Sequence, residues 1–284
     1  MKHLLALVFT GLSFIALAQD KPAYRLLHGD GSPATWNELT QKAASSQVIL
    51  FGELHNNPIC HWLQYELTAD LFKKLGKQLV LGAEMFETDN QLLLDEYINQ
   101  QISVKNFEAE AKLWPNYKTD YKPLVDFARE NQLSFKGTNI PRRYAALVNK
   151  GGFEALGQLT PEALRLMAPL PMPYDSTLPG YRAMLNMGGH ASVNLPKAQA
   201  AKDATMAWFI LKNLHPGQVF LHFNGSYHSD NYEGIVWYLK KYRPEIKILT
   251  ISSIETEDLD KPDEETKGKA DFILMIPGSM TKTH

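Results

Sequence analysis

The sequence predicts an α/β fold with a mostly parallel central sheet flanked by helices, together with a helical insertion or lid. Short runs of consecutive apolar residues, at 48–51 and 219–221 for example, are typical of strands buried on both faces. Helical patterns follow most of these runs, and such alternation indicates a parallel sheet covered on both sides. From about 151 to 196 prolines break up the alternation. Because this stretch has no strand set of its own, it is predicted to be an insertion and not a separate domain.

The first half of the chain contains three predicted strands, each followed by a helix. A short helix begins at Trp36 after a polar lead-in. The strands are expected at 48–52, 78–87 and 133–141, and the helices at about 59–75, at 92–98 and from 142 onward. A polar Thr-Asp-Asn break at 88–90 is typical of a helix N-terminus. Between the second and third strands, residues 113–128 are predicted to be helical and rich in aromatic side chains.

The second half of the chain restores the sheet pattern after the insertion. A helix is expected over about 197–214, with Ala200, Ala204 and Ala207 on its inner face. Strands are predicted at 219–223, 246–252 and 272–276, with a helix at 232–242 and an acidic, solvated loop at 255–265.

The N-terminus has the pattern of a secretory signal peptide. Met1-Lys2-His3 is followed by apolar residues and then by the small-residue sequence Ala16-Leu17-Ala18. We therefore expect a signal peptide at 1–18, a single mature domain at 19–284, and export to the periplasm or outside the cell. The one cysteine, Cys60, lies far from the cleavage site, so the sequence predicts a soluble product without a lipid anchor or an intrachain disulfide. The formal net charge of −2 argues against a nucleic-acid surface.

Histidine and carboxylate side chains occur where predicted strands end. Glu53, His55, Glu84 and His228 all occupy such positions, and Gly-x-x-His occurs at two of the strand ends. Ligands of open parallel sheets bind at this edge. Histidine with carboxylate suits zinc, manganese, cobalt or non-haem iron, and a bound metal would activate water for hydrolysis. The alternative is that both histidines only form hydrogen bonds at the strand ends.

Three further polar residues have more than one interpretation. His61 is either a third ligand or part of a solvated helix face. Asp203 lies on a helix whose other residues look like core, and it either orients a ligating histidine or has no role in the site. His222 lies within a strand and is predicted to be buried and hydrogen-bonded.

The insertion suggests a different chemistry. Its tyrosines and methionines could form the adaptable apolar wall that a haem macrocycle needs, and tyrosine or histidine can serve as an axial donor to haem iron. The alternative is an ordinary lid packed on the edge of the sheet.

Five motifs taken in order resemble the ChaN-type haem-binding uptake proteins, whose superfamily also contains the Tiki metalloproteases and the erythromycin esterases. They are Phe-Gly-Glu-Leu-His-Asn-Asn-Pro at 51–58, Ala-Glu-Met-Phe at 83–86, Thr-Asn-Ile-Pro-Arg at 138–142, the helix at 198–207 and Asn-Gly-Ser-Tyr-His at 224–228. The resemblance covers nearly the whole mature chain. It implies a parallel-sheet core with a helical insertion, exported and linked to haem or iron acquisition.

The resemblance also implies roles for particular residues. Tiki-like members imply metal ligands at His55 and His228, with Glu53 beside the first. ChaN-type members imply haem held by a tyrosine with a histidine assisting, in a dimer, and the candidates here are Tyr174, Tyr181 and His190.

Two functions therefore remain open. One is an exported haem-binding protein, forming a homodimer and serving an outer-membrane haem receptor system. The other is a metal-dependent hydrolase in which Glu53 and Glu84 act as catalytic carboxylates with the two histidines.

Overall fold

The structure is a computed structural model that describes residues 21–186 and 192–284. In it the protein forms one seven-stranded sheet with helices on both faces. The strands are β1 (Arg25–His28), β2 (Val48–Glu53), β3 (Leu79–Glu87), β4 (Phe135–Asn139), β5 (Val219–Gly225), β6 (Ile248–Thr256) and β7 (Phe272–Pro277). Their order in the sheet is β1-β7-β6-β2-β5-β3-β4, and every pair is parallel except β1 with β7. The predicted α/β class with a mostly parallel sheet is confirmed.

Ten α-helices cover the sheet within the described residues. They are α1 (Trp36–Ala44), α2 (Pro58–Leu75), α3 (Gln91–Ile98), α4 (Val104–Glu110), α5 (Lys122–Glu130), α6 (Arg142–Gly151), α7 (Pro161–Leu164), α8 (Pro179–Met184), α9 (Leu195–Lys212) and α10 (Ile235–Tyr242). Helices α1 to α5 pack on one face of the sheet, and α6 to α10 pack on the other. Alternate residues of each central strand therefore enter different hydrophobic cores. In β2, Ile49 and Phe51 face the first core, whereas Val48 and Leu50 face the second.

The sequence analysis missed strand β1. This edge strand has four residues, and only Leu26 and Leu27 are buried within it, so its apolar signal is too short to distinguish from a loop. Antiparallel pairing with β7, which is distant in the sequence, makes it a strand.

The described part of the predicted insertion contains short helices and no strand. A 3₁₀ turn at Phe153–Gln158 precedes α7, and α8 packs against α9. Met167 and Tyr181 are buried in the second core, so this segment is an integral part of that core. Its role as a lid stays a prediction.

The proposed signal peptide at 1–18 lies outside the described residues. Among residues 21–186 and 192–284, no helix is both long enough and apolar enough to cross a bilayer.

Candidate functional site

Three adjacent strands place the predicted polar residues at one edge of the sheet. Strand β5 lies between β2 and β3, and Glu53 at the end of β2 is in register with Gly225 at the end of β5. The carboxyl ends of parallel strands face the same way, so the side chains that follow them meet. His55, Glu84 and His228 consequently line one pocket.

Glu53 and His55 form the first histidine–carboxylate pair. Glu53 Oε1 lies 2.9 Å from His55 Nδ1 and accepts a second hydrogen bond, of 2.8 Å, from the hydroxyl of Tyr121. The amide of Gln64 donates to the other carboxylate oxygen. Glu53 is buried, whereas the side chain of His55 is 39% exposed. Burial lowers the pKa of His55, but the hydrogen bond and charge of Glu53, with the charge of Glu84, leave that pKa above its ordinary value.

Glu84, His228 and Asp203 form a second, fully buried array. His228 Nε2 lies 3.0 Å from Glu84 Oε1, and its Nδ1 lies 2.5 Å from Asp203 Oδ1. Burial opposes protonation of His228, but the two carboxylates outweigh it and raise its pKa to about 10. The same imidazolium holds the pKa of Glu84 well below its usual range despite burial. His228 is therefore a cation between two anions at neutral pH.

Gly225 allows the two arrays to approach each other. Its backbone N–H donates to Glu84 Oε2 at 2.9 Å. A Cβ atom at this position would lie 2.8 Å from His55 Nε2, closer than side chains tolerate. Glycine at the strand end therefore lets the ring of His55 cover the backbone beside Glu84.

The pocket around His55 has a volume of about 540 Å³, within the usual range for small-molecule sites. Its walls are one face each of α6 and α9, and its floor is the edge of the sheet. The lining residues are His55, Glu84, Glu87, Trp114, Asn139, Ile140, Arg142, Ala145, Ala146, Asn149, Leu195, Ala198, Lys202 and His228. A second pocket of about 770 Å³ shares Glu87, Trp114, Arg142 and Ala146 with the first. The two together form a continuous groove, called the edge groove below.

The remaining histidines and Asp203 now have defined surroundings. His61 is buried rather than solvated, and its Nε2 lies 3.2 Å from the carbonyl oxygen of His55. His222 is buried between Thr138 and Asn224, as predicted, and burial lowers its pKa to about 4. Asp203 contacts His228, so it orients one of the two strand-end histidines.

The tyrosines predicted to bind a cofactor lie behind the edge groove and do not line it. Tyr181 is buried and donates a 2.7 Å hydrogen bond to Asp203 Oδ2, and burial with the charge of Asp203 raises its pKa. Tyr174 packs between Tyr181 and Phe153. His190 lies outside the described residues. The ligand roles of Tyr174, Tyr181 and His190 stay predictions.

Some groove residues were not assigned a role from the sequence. Asn139, Arg142 and Lys202 line the groove, yet each occurs inside a motif that carried the family resemblance. The signal was therefore present, but periodicity does not show which way a side chain points from a strand end or a helix. Asn139 is 9% exposed, and its Oδ1 has no hydrogen-bond partner among the described residues.

A divalent metal does not fit the donors in this conformation. Both ring nitrogens of His228 contact carboxylates, so this imidazolium has no lone pair to offer a metal. The described parts of the chain contain no group of three or more His, Cys, Asp or Glu side chains arranged to hold a metal ion. A metal bound by His55, His228 and Glu53 stays a prediction that this geometry does not support.

The fold and site define an α/β protein with a groove at the carboxyl edge of its sheet and histidine–carboxylate pairs in the floor. The model of one family, described as haem-binding uptake, Tiki superfamily, ChaN, matches residues 39–239 of the 284 in the chain. The chain belongs to this ChaN family, and the resemblance found in the sequence is confirmed.

Solved structures with the same fold include a ChaN protein. The structure described as cofacial haem binding to ChaN of Campylobacter jejuni is similar, with a TM-score of 0.68 and 19% identity, over 90% of this chain and 97% of that one. A protein from Bacillus cereus matches with a TM-score of 0.51 and 13% identity, over 86% of this chain and 92% of that one. These likenesses show the fold.

A curated relative matches over a shorter part of the chain. Protein RETICULATA-RELATED 5, chloroplastic, from Arabidopsis thaliana is 23% identical over 124 residues, which is 42% of this chain. The match spans only 17% of the length of that protein.

Proposed function

We propose that this protein is an exported haem-binding protein that serves haem or iron acquisition. The observation that carries the proposal is the edge groove, which combines an apolar wall with a partly exposed imidazole. His55 Nδ1 is bonded to Glu53, and its Nε2 has no hydrogen-bond partner among the described residues. A histidine that donates one ring N–H to a carboxylate presents its other nitrogen as a donor, the usual arrangement around a bound metal.

The groove residues fit a haem group. Trp114 lies edge-on to His55, with ring centroids 5.0 Å apart, and apolar side chains from α6 and α9 form the opposite wall. Bound haem would supply an iron that accepts a donor atom from the protein. His55 would hold the macrocycle from the floor, with Trp114 and Ile140 against its apolar surface.

The tyrosine predicted as an axial ligand would have to come from the insertion. Tyr181 would need to leave Asp203 before its oxygen could act as a donor, because its hydroxyl hydrogen is engaged there. Tyr174 is only partly buried, and His190 precedes α9, whose first residue Leu195 lines the groove. We retain all three as candidates.

Titration with hemin tests this function. We expect the purified protein to shift the Soret band, and we expect His55→Ala to weaken the shift and alter the band position. His215→Ala, which removes an exposed histidine outside the groove, is the matched control. Tyr181→Phe and His190→Ala identify any second axial donor. No spectral change with the wild-type protein would refute haem binding.

Export and assembly are tested separately. N-terminal sequencing of protein recovered from the periplasm or the medium is expected to begin near Gln19, whereas retention of Met1 would refute export. The ChaN structure described as binding haem cofacially suggests a dimer that brings two haems together. Light scattering is expected to show a homodimer with haem, and a monomer at saturating haem would refute this part. Capture by an outer-membrane haem receptor would complete the uptake route.

Hydrolysis is the second candidate function, and the Glu53–His55 pair is the observation that favours it. A carboxylate orients the imidazole, the ring lines a pocket, and its second nitrogen has no hydrogen-bond partner among the described residues, as a general base requires. In this role Glu53 orients the base, and Glu84 with His228 provides charge beside it. We would test ester and peptide hydrolysis with and without zinc, manganese or cobalt. Activity lost in His55→Ala would support this candidate, and no turnover under any condition would remove it.

A further inference from the structure

Two of the cations that line the edge groove have no acidic partner within the described ranges. Glu84 is paired with His228, and Glu87 with Lys112 at 3.2 Å. Arg142 and Lys202 also line the groove, but neither forms an ion pair with any residue that the structure describes. Two cations of the groove are therefore left without an acidic partner in the described part of the chain, although the chain as a whole has a formal net charge of −2.

These two cations lie on two different helices. Arg142 is the first residue of α6 and also lines the second pocket, at the junction of the two. Lys202 lies on the face of α9 that carries Leu195 and Ala198, two turns from the start of the helix. Helices α6 and α9 pack against each other, which fixes the positions of the two cations relative to one another.

The neighbouring basic residues Arg143 and Lys112, in contrast, have acidic partners. Arg143 and Lys112 both contact Asp89, with Arg143 Nη1 and Lys112 Nζ at 2.5 and 2.9 Å from Oδ2. Both side chains are therefore already paired with a carboxylate of the protein. Arg142 and Lys202 thus remain as the cations available to a ligand.

A buried polar atom also points to a ligand. Asn139 is in register with Glu87 where β3 and β4 end, and it lines the groove. Its Oδ1 is buried without a partner among the described residues, and leaving a buried polar atom unpaired costs stability. A polar group brought by a ligand would satisfy it.

We infer that Arg142 and Lys202 are the specificity residues of the groove, and that they bind the two free carboxylates of a porphyrin dicarboxylate such as haem. The inference rests on the proposed function and adds the chemical feature that is recognised. Arginine binds a carboxylate through two N–H groups, and lysine binds it as a point charge. The apolar ring lies against Trp114 and the alanines, and the carboxylates reach the cations at the walls.

Metal-free protoporphyrin IX separates carboxylate recognition from iron coordination. Its binding is followed by porphyrin fluorescence, and it is compared with its dimethyl ester, which has the same ring and no charge. We expect the wild-type protein to bind the diacid roughly ten- to a hundredfold more tightly than the ester, since hydrogen bonds to charged groups contribute that much. We also expect added salt to weaken the binding of the diacid but not the binding of the ester.

Variants assign the effect to the two residues. The double variant Arg142→Ala/Lys202→Ala is expected to lose the preference for the diacid while still shifting the Soret band at higher hemin concentration. Lys150→Ala/Lys212→Ala removes one cation from each of the same helices outside the groove and is expected to behave as wild type. Arg142→Lys/Lys202→Arg keeps both charges and is expected to retain the preference.

The outcomes distinguish a failure of carboxylate recognition from a failure of haem binding. Equal affinity of the wild-type protein for diacid and ester, with a normal hemin spectrum, would overturn the inference and leave haem binding intact. No binding of hemin or either porphyrin would overturn both. Because the ester comparison uses the unmodified protein, it decides the inference even if the alanine variant does not fold.

Discussion

At the scale of single residues, the site depends on buried charges that compensate one another. His228 is held between Glu84 and Asp203, and removing one partner of a buried ion pair commonly costs several kcal/mol. Tyr181 extends this array into the insertion by its bond to Asp203. The stability of the site and the order of the insertion are therefore coupled through one carboxylate.

The raised pKa of His228 predicts a pH dependence of stability. Its imidazolium form is favoured in the folded state, so its contribution is complete below the ordinary pKa of about 6.5 and is lost as pH rises toward 10. We expect the free energy of urea unfolding to fall between pH 7 and 10, and the ring proton of His228 to titrate near pH 10 by NMR. In Asp203→Asn the fall should be smaller. Titration of His228 near pH 6.5 in the wild-type protein would contradict this prediction.

Gly225→Ala tests the close approach of the two arrays. The added methyl group would meet His55 Nε2 at 2.8 Å, so the ring must move away from residue 225. We expect a loss of about 1–3 kcal/mol in unfolding free energy and a weaker hemin affinity. Gly217→Ala, where space is open but φ is positive, is the comparison for backbone strain alone. Unchanged hemin binding in Gly225→Ala would show that His55 is not held by this contact.

At the scale of elements, the start of α2 positions His55. Asn57 Oδ1 accepts hydrogen bonds from the backbone N–H groups of Ile59 and Cys60, and Pro58 occupies the first helical position. The Asn-Asn-Pro sequence therefore ends the loop that carries His55 and begins the helix. A strand, a histidine and a helix cap follow one another within eleven residues, at 48–58.

Asn57→Ala is expected to destabilise this junction. Loss of a side-chain cap typically reduces the unfolding free energy by about 1 kcal/mol. Because Asn57 is fully buried, the free helix N–H groups cannot easily find water, so the upper part of the known range, about 2 kcal/mol, is expected. Asn57→Ser keeps a side-chain acceptor for the helix N–H groups without placing a second carboxylate beside Glu255, so it should recover part of the loss in urea unfolding. An alanine variant as stable as the wild type would contradict the role of the cap.

At the scale of the whole molecule, the edge groove lies between α6 and α9 on one side and the sheet edge on the other, so a ligand bound there would bridge distant parts of the chain. A ligand that binds only the folded state adds to its stability. With free haem at one hundred times its dissociation constant, we expect about 2.7 kcal/mol of added stability.

Thermal unfolding with and without hemin measures this linkage. The wild-type protein should unfold at a higher temperature with hemin, and Arg142→Ala/Lys202→Ala should show a smaller shift at the same concentration. Lys150→Ala/Lys212→Ala supplies the control. An unchanged unfolding temperature at saturating hemin would mean that haem does not bind the native groove.

Much of this architecture was predictable, and the failures have physical causes. Apolar runs revealed six strands because strands buried on both faces need them, and Gly-x-x-His marked two strand ends. The antiparallel edge strand β1 was not predicted, because its two buried leucines are too few to show the periodicity of a strand. His61 was open to two readings because helix spacing does not show that the loop carrying His55 folds over it.

The sequence by itself determined the fold class, the family and the residues at the strand ends, because these depend on local runs, turns and motifs. Only the tertiary structure decided that β5 lies between β2 and β3, which brings Glu53, Gly225 and Glu84 side by side. It also decided that Tyr181 donates a hydrogen bond to Asp203 and that Arg142 and Lys202 line a common groove. Strand order and helix orientation arise from packing between segments far apart in the chain, and no local pattern encodes that packing.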